Sequence, residues 1–174
     1  FAGHRGSLFG AQESGQPSQK MFETQLAGAL QALDSNKLTW VEGESSKIGS
    51  RVIPPSVWAR MSTAPRIEIT APIAARAAFL ATAYDDLIHD TQRFISLIDQ
   101  LRNYHAKDTI LDWQALAATG DWQSLAKALM IEHYDPRYAK SQARSVQKPE
   151  QVTLAALDPQ SLSDKARELT ARFT

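Results

Sequence analysis

The amino-acid sequence predicts an α/β protein with two or three strands, too few for a full sheet, and a helix-rich C-terminal part. The segment RIEIT at 66–70 alternates and is rich in β-branched residues, as strands are. From Pro72 onward, apolar residues recur at helical spacing almost to the end of the chain. The 174 residues are 43% hydrophobic, which is enough for one domain with a substantial core.

The first third of the chain predicts a helix, a strand and a short second helix. Ser18 is the expected N-cap of the first helix, because its hydroxyl can accept a hydrogen bond from the first turn. The apolar positions of this helix are Phe22, Leu26, Leu30 and Leu33. LTWVEGES at 38–45 is an apolar run that turns acidic, which is typical of a buried strand with polar groups at its end. Pro54 and Pro55 precede the short helix.

The middle of the chain predicts consecutive helices. Residues 72–88 and 90–104 carry apolar side chains at helical spacing. A further helix follows, with Gly120 as the expected residue just past its end. Asp121 is then the expected N-cap of the next helix.

Two Asp-Pro pairs predict later helix starts. Asp135-Pro136 and Asp158-Pro159 each supply an N-cap carboxylate followed by a proline suited to the first helical position. Between them, VTLAAL at 152–157 predicts a late strand.

Composition excludes several classes of site. Nineteen basic and nineteen acidic residues cancel, so an anion-binding surface must come from local clustering. The sequence has no cysteine, which excludes disulfides, thiolate metal ligands and a cysteine nucleophile within these residues. No apolar run approaches the roughly 18 residues of a membrane span, and no stretch has the pattern of a cleavable signal. We therefore expect a cytoplasmic protein without a membrane partner.

Glu42 and Glu44 are the candidate catalytic residues. They follow the predicted strand, where open α/β sheets bind ligands, and a carboxylate there can hold Mg²⁺ or orient a reacting group. The alternative is structural: both glutamates cap a turn or pair with Lys47 and Arg51.

The glycine-spaced opening FAGHRGSLFG predicts an anion site. His4, Arg5 and Ser7 supply donors, and the glycines let backbone N–H groups approach a phosphate. Gln19 and Lys20 add donors at the first turn of a helix, where N–H groups already favour anions. The alternative is a glycine-rich surface turn beside a solvated lysine.

Cations alternate with tyrosines further along the chain and predict contact with nucleic acid. These residues are Tyr134, Arg137, Tyr138, Lys140 and Arg144. Such residues can bind a phosphate backbone and stack on a base. The alternative is a solvated helix face.

The four histidines lack the spacing of metal ligands, so no metal site is predicted. The sequence also has no G-x-S-x-G elbow, so no hydrolytic triad is expected.

Five motifs resemble one family when taken together. In order they are GHRGSLFG, QPSQKMFETQLAGAL, WVEGESSKIG, PPSVWARM and HYDPRYAKS. In order and separation they are similar to the C-terminal, P-loop-type domain of bacterial tRNA 2-selenouridine synthases, over about residues 1–144. The resemblance implies an incomplete P-loop-NTPase-like parallel sheet.

The resemblance also implies a function. The family replaces the sulfur of wobble 2-thiouridine with selenium from selenophosphate, and attaches a geranyl group from geranyl diphosphate to that sulfur. Selenophosphate and geranyl diphosphate would be co-substrates, with Mg²⁺ a further candidate. The implied partners are tRNA and the rest of a parent chain, namely a rhodanese-like domain with a cysteine and a segment with a G-x-x-x-x-G-K-[ST] loop.

The sequence departs from the family pattern at two points: it has neither that loop nor a cysteine. Phe1 begins just after the place where a family strand should lie, so we expect a fragment that is inactive in isolation. We expect the remainder of the P-loop-type domain at 1–71, a tRNA-contacting helical part at 72–144 and a tail at 145–174. Two alternatives stay open: a non-catalytic helical tRNA-binding module, and a nucleotide-dependent phosphotransferase relative.

Overall fold

The structure is a computed structural model that describes residues 1–4, 9–10, 15–142 and 148–173, without the side chains of 86, 87, 141 and 142. The chain divides into a first unit, Phe1–Arg66 with Ala166–Thr174, and a second unit, Ile67–Lys165. The elements in chain order are α1 (Gln19–Gln31), β1 (Lys47–Ile48), β2 (Arg51–Val52), α2 (Pro55–Ser62), β3 (Ile67–Thr70), α3 (Ile73–Ala83), α4 (Asp85–Ile88), α5 (Thr91–Asp99), a 3₁₀-helix (Gln100–Asn103), α6 (Lys107–Ala118), α7 (Trp122–Leu129), a π-helix (Met130–Tyr134), α8 (Asp135–Gln142), β4 (Glu150–Thr153) and α9 (Pro159–Phe173). The predicted boundaries at 71 and 144 stay a prediction.

Helix α1 begins as predicted, at the Ser18 cap. The Ser18 hydroxyl accepts a hydrogen bond from the Met21 amide at 3.2 Å. Of the four apolar residues predicted to pack, Phe22 is buried, whereas Leu30 and Leu33 are more than 40% exposed. The helix therefore packs through a narrower apolar stripe than its sequence periodicity predicts.

The predicted buried strand at 38–45 is wrong. In the described chain this segment has no strand backbone, and Leu38, Trp40 and Val41 are about half exposed. Trp40 instead contacts the end of α9: its indole N–H donates to Thr170 Oγ1 at 3.3 Å. Its ring also meets Phe173 edge-on. An apolar run needs a neighbouring strand to form a ladder, and here a helix covers part of it instead.

A short antiparallel hairpin, not predicted from the sequence, lies close to this segment in the chain. Strand β1 pairs with β2 in the register Lys47↔Val52 and Ile48↔Arg51. Gly49 forms the turn with φ +59°, a left-handed conformation that glycine adopts without strain.

A two-stranded parallel sheet in the second unit confirms the α/β class. Strand β3 lies at the predicted position and pairs with β4 in the register Ile67↔Glu150 to Thr70↔Thr153. The hydroxyls of Thr70 and Thr153 are hydrogen-bonded at 2.9 Å. Strand β4 begins two residues before the predicted one and ends at Thr153.

The helices of the second unit enclose the main core. Its largest fully buried side chains are Ile98, Leu101, Ile110, Trp113, Leu125 and Met130. The predicted helix signals are confirmed here: Gly120 has φ +74° just past α6, and the Asp121 carboxylate accepts a hydrogen bond from the Ser124 amide at 3.2 Å. Helix α3 packs against α7, and α5 against α6.

Helix α8 begins at the predicted Asp135, but the predicted N-cap role of Asp135 is wrong, because the chain is already helical there. Helix α7 runs into the π-helix and then directly into α8. Pro136 has no amide hydrogen, and in a regular α-helix its ring would clash with the carbonyl four residues earlier. A wider π-turn before the proline relieves this clash. The Asp135 carboxylate, not needed as a cap, forms a two-pronged ion pair with Arg76 at 2.6 and 2.9 Å.

The second predicted start, at Asp158, is confirmed. Its carboxylate accepts hydrogen bonds from the amides of Gln160 and Ser161 and from the Ser161 hydroxyl. These hydrogen bonds, above all the one from the Ser161 hydroxyl, lower the pKa of Asp158.

None of the helices in the described ranges is long and apolar enough to cross a membrane.

Candidate functional site

Four side chains of the second unit form what we call the His–Arg cluster: Tyr104, His105, His133 and Arg137. Tyr104 and His105 follow the 3₁₀-helix, whereas His133 lies in the π-helix and Arg137 in the first turn of α8. Helical geometry explains one contact, since residues four apart share a face. The other contacts come from packing between parts of the chain 28 residues apart.

Two side-chain hydrogen bonds of the cluster converge on one atom, His133 Nδ1. Arg137 Nη1 lies 3.0 Å from it, and His105 Nε2 lies 2.8 Å from it. Because a guanidinium can only donate, Nδ1 must be an unprotonated acceptor. The geometry therefore assigns the proton of His133 to Nε2 and requires His105 to donate from its own Nε2.

Aromatic rings surround the two imidazoles. The Trp113 ring lies 4.8 Å from His105, edge to face, and the Tyr134 ring lies 5.0 Å from His133 in the same manner. His133 is 5% exposed, whereas Tyr104 is 63% exposed. The cluster thus joins a buried imidazole to a ring at the surface.

Burial and charge keep both histidines neutral. The pKa of His133 is lowered to about 4. The main cause is burial of the imidazole, followed by the electrostatic effects of Arg137 and then of His105. Burial and Arg137 also lower the pKa of His105, against a smaller opposing effect of Glu132. At neutral pH the positive charge of the cluster is therefore that of Arg137, beside two uncharged imidazoles.

These shifts predict that the protein loses stability in acid. The ordinary pKa of histidine is 6.5, whereas that of folded His133 is about 4. Between these two pH values His133 is protonated in the unfolded chain but not in the folded protein. The free energy of unfolding therefore falls as the pH drops through this window. The loss from His133 reaches up to about 3 kcal/mol, and His105 adds in the same direction. Denaturant unfolding at pH 7 and pH 4.5 measures it, with His133→Asn as the comparison. Equal pH dependence in the two proteins would contradict the assignment.

Four of the five predicted nucleic-acid residues lie in the described chain. Arg137 belongs to the cluster, Tyr134 packs against His133, and Tyr138 and Lys140 are exposed on α8. Arg144 lies outside the described residues. Tyr104 and His105 were missed, because no spacing in the sequence links them to the HYDPRY segment.

In the first unit, the amide of Gln16 holds the opening residues against the hairpin. It donates to the carbonyls of Ala2 and Ile48 at 3.0 and 2.8 Å, and accepts from the Ser50 amide at 2.6 Å. His4 is packed beside Gly49, and a Cβ at Gly49 would lie 2.7 Å from its Cδ2. Gln16 therefore connects Ala2, two residues before the predicted phosphate-binding residue His4, to the hairpin.

Gln19 holds the next strand in the same way. Its side-chain amide both donates to the Val52 carbonyl and accepts from the Val52 amide, at 2.7 and 3.0 Å. Lys20 is exposed in the first turn of α1. Arg5 and Ser7 lie outside the described residues. The anion site thus stays a prediction for all five residues, and the structure shows that Gln19 also supports the hairpin.

Replacing Gly49 with alanine is expected to destabilise the first unit by about 1–3 kcal/mol, because a side chain is strained at positive φ and would collide with Gln16 and His4. Gly43→Ala is the matched control, since nothing lies within 4 Å of its added Cβ. Denaturant unfolding of both variants measures the difference. A Gly49→Ala protein as stable as the control would contradict the packing of His4.

The two candidate catalytic glutamates lie in the irregular segment before the hairpin. Partial desolvation, followed by repulsion from Glu42, raises the pKa of Glu44, although Glu44 retains an exposed surface. In the described part of the chain no group of three or more His, Asp or Glu side chains could hold a metal ion. The two carboxylates alone are too few to enclose Mg²⁺, so no chemical step is assigned to a metal.

Comparisons with known proteins agree on one family. The model of the "tRNA 2-selenouridine synthase AAA domain" matches residues 1–107. A protein named tRNA 2-selenouridine synthase from Chromohalobacter salexigens is 39% identical over 79% of this chain and 44% of its own length. Proteins of the same name from Psychromonas ingrahamii and Shewanella woodyi are 34% and 37% identical over about half of this chain and 25% of their own lengths. The chain thus spans less than half the length of these relatives. No solved structure matches it significantly.

Proposed function

We propose that this chain, which belongs to the tRNA 2-selenouridine synthase family, forms part of a transferase that modifies the wobble position of tRNA. The reaction would replace the sulfur of 2-thiouridine with selenium from selenophosphate, with geranylation of the sulfur from geranyl diphosphate. The observation that carries this proposal is the family match over residues 1–107. Its partners would be tRNA and, within a longer cytoplasmic enzyme, a rhodanese-like domain and a P-loop segment.

The co-substrates set requirements that residues of the first unit could meet. Both carry phosphate groups, so a site for either needs several N–H donors and a cation. We assign His4, Arg5, Ser7, Gln19 and Lys20 to this binding. Glu42 and Glu44 would position a reacting group, and any Mg²⁺ they share would need oxygen ligands from the phosphate itself.

A chimaera tests the proposal. This chain replaces the corresponding segment of the Chromohalobacter salexigens enzyme, in cells that lack their own synthase and are supplied with selenite. Nucleoside mass spectrometry of bulk tRNA should then detect 2-selenouridine. Arg5→Ala in the chimaera should reduce the product at least 10-fold, whereas Arg60→Ala, a change at an exposed arginine of α2, should not.

Two results would contradict the proposal. A folded chimaera that forms no 2-selenouridine would remove the activity from this chain, and equal product from both arginine variants would remove Arg5 from the site. We propose that the 174-residue chain alone makes no product, because it contains neither a cysteine nor a G-x-x-x-x-G-K-[ST] loop.

The exposed Tyr104 beside Arg137 favours one second candidate, a tRNA-binding module without catalysis. Such a module would bind tRNA with an affinity that falls steeply with salt. Binding by the chain together with an inactive chimaera would support it.

A further inference from the structure

We propose that Tyr104 and Arg137 bind one nucleotide of RNA, Tyr104 by stacking on an unpaired base and Arg137 by contacting the adjacent phosphate, with His133 positioning Arg137. The inference rests on the proposed tRNA function. It adds Tyr104 and His133 to the predicted contact residues and gives each a separate task.

The first support is the way in which Arg137 is held. Among the described residues, only His133 forms hydrogen bonds with its Nη1, through the imidazole Nδ1 at 3.0 Å and the backbone carbonyl at 3.3 Å. The described residues form no hydrogen bond with its Nε or Nη2. Within the described structure, Nη1 of the guanidinium is thus held in place, while Nε and Nη2 keep N–H groups that can donate to a phosphate oxygen. No carboxylate lies in an ion pair with this arginine in the described structure.

The second support is the exposure of Tyr104. The Arg137 guanidinium covers its ring at 4.7 Å from the centroid, and yet the residue is 63% exposed. Base–aromatic stacking and a neighbouring cation are how proteins bind unpaired nucleotides. RNA is read mainly through such unpaired bases, which are splayed out and stacked on aromatic or arginine planes.

The third support is the chemistry of His133. The buried imidazole accepts from Arg137 and carries no charge at neutral pH, so it contributes an acceptor rather than an anion. A carboxylate in this place would neutralise the guanidinium and weaken its attraction for phosphate. A neutral acceptor fixes the arginine while leaving its full charge for the ligand. His133 is therefore a positioning residue.

The experiment measures binding of the full 174-residue chain to a deacylated tRNA between 50 and 200 mM salt. Tyr104→Ala should weaken binding roughly 10-fold, with little change in its salt dependence, whereas Tyr104→Phe should bind as the parent does. Arg137→Met should weaken binding and reduce the slope of log K against log salt by about 1. Lys127→Met, which removes an exposed charge from α7, is the matched control for lost charge.

His133 is tested by two substitutions that differ in their acceptor. Asparagine places an amide oxygen where Nδ1 lies, whereas leucine removes the side-chain acceptor of Arg137. We expect His133→Leu to reduce the salt slope and the affinity as Arg137→Met does, and His133→Asn to restore both. A purely structural role would leave the salt slope unchanged in a variant that still folds, as monitored by circular dichroism.

The outcomes separate this site from the proposed function. If the parent chain binds tRNA and the Tyr104, Arg137 and His133 variants all bind equally well, the site is wrong and the proposed function stands. If the parent chain binds no tRNA, this site and the binding-module candidate are overturned, and the transferase function is decided by the chimaera alone. If heparin competes with equal strength in the parent and in Tyr104→Ala while tRNA affinity is unchanged, Tyr104 has no stacking role and the proposal fails.

Discussion

Replacing Trp113 with alanine is expected to lower the free energy of unfolding of the second unit by about 3–5 kcal/mol. Trp113 is 1% exposed and lies in the core formed around α5, α6 and α7. Removal of the indole deletes a large apolar surface and leaves a cavity that the helices can fill only in part. It also removes the ring against which His105 packs.

Two measurements check this prediction. Denaturant unfolding gives the loss of stability, and an NMR titration should show the pKa of His105 rising toward its ordinary value as water reaches it. Trp40→Ala is the control, because that indole is about half exposed and should contribute much less. A loss below 1 kcal/mol for Trp113→Ala would contradict its place in the core.

Replacing Gln16 with alanine is expected to destabilise the first unit by about 2–4 kcal/mol, because three backbone groups lose their partner together. The affected groups are the carbonyls of Ala2 and Ile48 and the amide of Ser50. Hydrogen exchange at Ser50 should accelerate in the variant, which reports on this contact directly.

Glutamate at the same position gives a sharper comparison. Gln16→Glu keeps the shape and the acceptor for Ser50 but replaces the donor with a charged oxygen facing two carbonyls, so it should be no more stable than Gln16→Ala. Gln31→Ala, at the exposed end of α1, is the control and should change stability by less than about 0.5 kcal/mol. A fully stable Gln16→Glu protein would mean that Gln16 does not bridge these segments.

Local signals in the sequence predicted what local chemistry determines. The caps at Ser18, Asp121 and Asp158 and the glycine after α6 depend on a few neighbouring residues, and all four are confirmed. Strand β3 was predicted close to its observed position from a β-branched segment, whereas β4 begins two residues and ends four residues before the predicted 152–157. The resemblance to the family, carried by five motifs, is likewise confirmed by the match over residues 1–107.

The failures came from partners distant in sequence. The apolar run at 38–45 predicts a strand from its local sequence alone. In the structure its tryptophan packs on α9 instead. The local sequence predicts Asp135 as an N-cap, but its carboxylate forms an ion pair with Arg76, which lies 59 residues away in the chain. The His–Arg cluster escaped detection for the same reason, since its two histidines come from segments with separate helical patterns.

The π-turn at Met130–Tyr134 sets the direction in which the HYDPRY segment faces. One additional residue in a helical turn rotates everything after it by about 100°. With this rotation in place, the Asp135 carboxylate meets Arg76, and Arg137 covers Tyr104. Deleting a single residue within the turn would remove this rotation and turn both side chains toward another side of the helix. Helix length in this stretch therefore determines which residues Asp135 and Arg137 contact, independently of which side chains the stretch carries.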